Sequence, residues 1–109
     1  MAILVIKTTM KGNKMKVTYD NYGKYSSDNY GSHTLVFTDT TGNEFYFSYK
    51  TLVAFTYNQE KHVIQNLWST TTGKHLNWID GGNKKHRLTK EAFEAKYLEC
   101  FGVKLEAVA

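Results

Sequence analysis

The chain has 109 residues, 15% of them aromatic and none of them proline, with a net charge of +4 and a single cysteine, Cys100. A chain of this length buries about two thirds of its unfolded surface without disulfides or a metal, and one thiol excludes an internal disulfide and fits a reducing compartment. The wealth of aromatics excludes a disordered chain, and the mildly basic balance excludes a DNA mimic, which would be strongly acidic. One domain spanning 1–109 is expected.

In chain order, the apolar start Met1–Ile6 ends at Lys7, too short for a signal-peptide core or a membrane span. Residues 2–9 and 14–20 read as two strands joined at Gly12-Asn13, a pair that supplies the positive φ angles of a tight hairpin. Residues 20–32 have no apolar period and form a loop carrying Tyr22, Tyr25 and Tyr30. Strand-like alternation returns at 33–38, and the turn Asp39–Asn43 leads into 44–49. The β-branched and aromatic run 51–57 follows, and Asn58–Lys61 turns it into 62–68. A break near Ser48–Lys50 is required, because 14 continuous strand residues would be unusually long.

After Trp68 the period changes to a helical one. Thr72, His75, Leu76 and Ile79 are spaced i, i+3, i+4, i+7 behind a Ser/Thr cap, and Asp80–Asn83 ends the segment. In the second helix Thr89 is the N-cap, flanked by Leu88 and Phe93 as a hydrophobic staple. Phe93, Tyr97, Cys100 and Phe101 form its apolar stripe, and Gly102 is the left-handed C-cap. The fold class is therefore α+β: an antiparallel β-meander of about five strands, with a short helix near 70–79 and a C-terminal helix near 89–101.

Candidate chemistry centres on the segment Trp68–Asn77. Four hydroxyls, Ser69, Thr70, Thr71 and Thr72, precede Gly73, Lys74 and His75 at a helix start. Such a start presents unpaired N–H groups to an anion, although Ser69 or Thr70 serves equally as a plain helix cap. A Walker A loop is absent. The segment 61–88 carries a surplus of +4, with Lys61, Lys74, Lys84, Lys85 and Arg87 against Asp80 alone, and Arg87 is the one arginine beside 13 lysines. Lys84, Lys85 and Arg87 with Lys74 fit phosphate contacts, and Tyr22, Tyr25 and Tyr30 fit stacking on single-stranded bases. The alternative is a solvated basic loop beside a tyrosine-rich one. His33, His62, His75 and His86 lack paired metal-ligand spacing, so neither a metal nor a cofactor is expected. Cys100 sits on an apolar stripe, where thiols are inert. His75 with Lys74 is the alternative catalytic pair, with Asp80 able to orient His75 only if the fold brings the two together.

The paired patterns Ser48-Tyr-x-Thr-x-Val-Ala54 and Trp68-Ser-x-Thr-Thr-x-Lys-His-x-Asn77 resemble a family of small phage- and plasmid-borne proteins of unknown function, over residues 44–80. The resemblance implies a mobile-element product acting in a bacterial host's cytoplasm. The resulting expectation is a non-enzymatic binding module that engages nucleic acid or a nucleic-acid-handling host complex, such as an RNA-guided nuclease, with no membrane partner. Two rivals stand beside it. One is a protein–protein inhibitor of a host defence protein, anchored by exposed aromatics. The other is a nucleotide-binding or nucleotide-cleaving protein that uses the Ser/Thr-Gly-Lys-His segment.

Overall fold

The computed structural model describes residues 18–23 and 33–105. The predicted strand at 2–9, its Gly12-Asn13 turn, and Tyr25 and Tyr30 lie outside them. Five strands, β1 (Thr18–Asn21), β2 (Leu35–Thr38), β3 (Glu44–Ser48), β4 (Thr51–Tyr57) and β5 (Glu60–Val63), form one antiparallel sheet in chain order. Helix α1 (Thr70–Asp80), a 3-10 turn at Lys84–His86 and helix α2 (Lys90–Phe101) complete it. This is the α+β meander with two helices that the alternation and the helical spacings predict.

Three local features differ from expectation or refine it. The predicted break between β3 and β4 falls at Tyr49-Lys50, where Tyr49 takes a φ of 57°. Tyr46 faces Ala54 while Phe47 faces Leu52, so Val53 is an extra residue, a β-bulge that bends β4. The turn after β4 is the two-residue Asn58-Gln59, with φ of 51° and 66°, the mirror-image geometry that matches strand twist. β5 therefore starts earlier than predicted, and it ends before Trp68. Ile64, whose N–H still donates to the Val53 carbonyl at 3.0 Å, bridges in parallel to Leu88. The Asn66 side chain then bends the chain, accepting from Trp68 N–H at 3.0 Å and donating to the Ser69 carbonyl at 3.0 Å.

Both faces of the sheet are covered. Cross-strand partners share a face, so Phe37, Phe45, Phe55 and His62 make one row. That row receives α2: the Phe55 ring centroid lies 5.3 Å from those of Phe93 and Tyr97. The opposite row is Val36, Tyr46, Ala54 and Val63, with Ser48 on the same face two residues beyond Tyr46. It receives α1, where Lys61 Nζ lies over the Tyr46 ring at 5.1 Å and donates to the Ile79 carbonyl at 3.1 Å. This double cover explains why Phe45–Ser48 and Leu52–Thr56 are buried without interruption. Phe55, Phe93, Leu76 and Ile64 are fully enclosed, each stabilising the fold by roughly 1.5–3 kcal/mol through burial.

The helix ends follow their capping residues. Ser69 Oγ accepts from Thr72 N–H, and Thr89 Oγ1 from Ala92 N–H at 3.2 Å. Gly81 and Gly102 close the two helices at φ of 69° and 68°, donating to the carbonyls of Asn77 and Leu98. Only a residue without Cβ takes that conformation readily.

A candidate anion-binding groove beside the first helix

The four consecutive hydroxyls part company once the helix forms. Ser69 caps it. Thr72 turns inward with His75, Leu76 and Ile79, the stripe predicted from spacing. Thr71 faces solvent. Thr70 starts a second, polar stripe, continued by Gly73, Lys74 and Asn77 at i+3, i+4 and i+7. This polar flank, rather than the helix end, forms one wall of a groove of about 470 Å³.

Gln65, Asn66, Lys84 and Arg87 form the facing wall. Backbone pairing holds these segments together, since Leu88 N–H donates to the Val63 carbonyl and Gln65 N–H to the Leu88 carbonyl, both at 2.8 Å. A side chain at Gly73 would place its Cβ 3.1 Å from Asn66 Nδ2. A glycine mid-helix costs about 0.5–1 kcal/mol, and here it leaves room for the amide that shapes the loop.

Arg87 departs from its basic neighbours. It is 8% exposed, and its Nε donates to Asp80 Oδ2 at 2.7 Å. Its Nη2 donates to Asp80 Oδ1 at 2.9 Å and Asn77 Oδ1 at 3.0 Å. Three of the guanidinium's five N–H bonds are thus committed. Among the described residues neither N–H of Nη1 has a hydrogen-bond partner, and Arg87 lines the groove. Burial alone would raise the Asp80 carboxyl's pKa. The hydrogen bond and charge of Arg87, with the backbone N–H groups of Gly82 and Asn83, outweigh it and hold the carboxyl below the usual range.

The remaining cluster residues point different ways because the 3-10 turn rotates them apart. Lys84 enters the groove, Lys85 is exposed, and His86 lines a separate hollow of about 390 Å³ with Lys61 and Asp80. Tyr22 is packed against the sheet, its hydroxyl donating to the Phe47 carbonyl at 2.8 Å and its ring 5.5 Å from that of Tyr46. Cys100 sits half-buried against the core, and burial pushes its thiol's pKa up.

A second polar cluster lies beneath α1. Ser48 Oγ is 2.7 Å from His75 Nδ1 and 3.5 Å from Thr72 Oγ1, and the His75 ring is flanked by those of Trp78 and Tyr49. Burial lowers the His75 pKa, and the charges of His33 and Lys74 lower it further, so it is neutral at neutral pH. The distance suits a nucleophile and its base, but Ser48 is 3% and His75 0% exposed. Closed to solvent, the pair joins α1 to the end of β3. Asp80 does not orient His75, because Arg87 engages it instead. Among the described residues no three His, Cys, Asp or Glu side chains are grouped to hold a metal ion, and no helix is long and apolar enough to cross a membrane.

Sequence reasoning missed Gln65, Asn66 and Asn77 as groove residues and Ser48 as the partner of His75. It had one usable signal for Arg87: the lone arginine of the chain and the lone acid of segment 61–88 lie seven positions apart.

The model of a family described as "Family of unknown function (DUF8033)" matches residues 13–95, most of the chain, which belongs to that family. No curated protein and no solved structure matches it.

Proposed function

We propose that this family member is a non-enzymatic binding module that engages nucleic acid, free or within a host nucleoprotein complex, through the phosphate backbone. One observation carries the reading. Thr70, Lys74, Lys84 and Arg87, distant in part along the chain, line a single groove whose walls, among the described residues, include no carboxylate. Lys85 flanks them from the exposed side of the 3-10 turn. Binding led by phosphate contacts is largely sequence-independent, because the phosphates carry no sequence information. The enclosure of Ser48 and His75 favours binding over turnover. The phage or plasmid setting implied by the resemblance makes a host defence complex, such as an RNA-guided nuclease, the destination we propose, in the host cytoplasm.

Fluorescence anisotropy with short single-stranded and duplex oligonucleotides tests this. Two or three phosphate contacts predict a logarithmic salt slope of about −1.4 to −2 on single strands, and Lys74→Glu with Lys84→Glu abolishes binding. Absence of binding at low salt, or indifference to those reversals, defeats the proposal. A partner captured from host lysate that survives nuclease treatment would point instead to a protein surface.

A further inference from the structure

We propose that the groove is built around one phosphate monoester, taken by the Nη1 edge of Arg87 with Lys74 and Lys84 completing its charge. Asp80 and Asn77 are the positioning residues that fix Arg87 for it. This deepens the nucleic-acid reading and rests on it for the ligand's source: a strand's terminal phosphate, with a mononucleotide as the other carrier of the same group.

Arginine cannot accept a hydrogen bond, so the atom of Asn77 that meets Nη2 is its carbonyl oxygen. The amide of Asn77 keeps both its N–H groups to offer the groove, beside the second lone pair of that oxygen. The Asn66 amide accepts from Trp68 N–H and gives one N–H to the Ser69 carbonyl, which leaves its second N–H as a donor. Lys74, Lys84 and Nη1 are donors only, while Thr70 and Gln65 serve in either sense. Donors thus outnumber acceptors among the described lining residues, a pattern that suits a group that only accepts, as a phosphate does, better than a base edge, which mixes both.

Charge selects the monoester. Arg87 and Asp80 cancel within their ion pair, which leaves the two groove lysines as the uncompensated charge. A monoester carries about −1.5 to −2 at neutral pH, whereas each internal phosphate of a strand carries −1. The arginine is also pre-aimed. With three N–H bonds fixed and its side chain 4% exposed, it loses little freedom when Nη1 engages a ligand, so binding is not offset by ordering. The volume of about 470 Å³ lies within the range of small-molecule sites.

The test compares one oligonucleotide with and without a 5′-phosphate, each competed with adenosine monophosphate, inorganic phosphate, or chloride at matched ionic strength. The phosphorylated strand binds at least about tenfold more tightly, the worth of one charge-assisted hydrogen bond. Inorganic phosphate competes where chloride does not. Lys74→Gln and Lys84→Gln, at exposed positions, reduce the preference. Asp80→Asn removes it and Asp80→Glu restores it in part, with circular dichroism reporting that both variants fold. Equal binding of the two strands, with phosphate no better than chloride, overturns the monoester site and leaves the nucleic-acid reading standing. Saturable binding of adenosine monophosphate without any strand binding keeps the site and removes the nucleic-acid reading.

Discussion

The Asp80–Arg87 pair offers a sharp test of the reasoning, because its two halves are not equivalent. Their side chains are 11% and 4% exposed. Asp80→Ala strands a guanidinium that cannot lose its proton, with Asn77 as its remaining partner. Removing one member of such a pair costs about 3–5 kcal/mol. Arg87→Ala leaves a carboxylate that keeps the Gly82 N–H at 2.9 Å and can take up a proton, so its cost is smaller, about 2–3 kcal/mol. The double variant removes both charges and costs less than the sum, with a coupling of about 2–3 kcal/mol. In urea, a loss near 4 kcal/mol moves the midpoint by roughly 2 M at an m-value of about 2 kcal/mol/M. The four proteins are compared at neutral pH, where the m-values should agree. Additive losses, or a larger loss for Arg87→Ala than for Asp80→Ala, would refute the account of a buried, mutually dependent pair.

Two further outcomes follow from particular residues. His75 has a lowered pKa in the fold, so between that value and the unfolded value of about 6.5 the unfolded chain binds more protons, and stability falls as pH drops. Urea midpoints should decline from about pH 7 to pH 5, less steeply in His75→Gln; some slope persists because burial lowers His62 as well. A variant slope equal to that of the parent would remove His75 from the explanation. Gly102 sits at a φ of 68° where an added Cβ meets nothing within 4 Å, so Gly102→Ala tests backbone strain alone. It should cost about 1–2 kcal/mol, Gly102→Asn less, as read from thermal melts; a melt unchanged by alanine contradicts the cap.

The helices were legible because their signals are local. Ser69, Thr89, Gly81 and Gly102 punctuate them, and the stripe Thr72, His75, Leu76, Ile79 is the buried one. The strand ladder was legible from alternation, but the double cover of the sheet was not. Phe45–Ser48 reads as alternating in sequence, and only the placement of α1 and α2 on opposite faces buries all four. The basic cluster was visible as composition, yet its division was not. A single 3-10 turn sends Lys84 to the groove and Arg87 to Asp80, and no local rule ranks adjacent cations by direction. The meeting of Ser48 with His75 is 27 residues distant in the chain, and the polar character of either residue does not disclose it.

The Leu88 bridge has a consequence for how the molecule meets its own copies. Among the described residues β5 is the last strand of the sheet in the order β1 to β5, and an open strand edge is a template for foreign backbone. Leu88 occupies the Val63 carbonyl and the Gln65 N–H, so the exit end of that edge is already taken by the chain itself. What is left of β5 is short and begins with Glu60 and Lys61, whose charges discourage a flat, extended neighbour. The contact that draws the groove walls together thus also guards the β5 edge against pairing with foreign backbone.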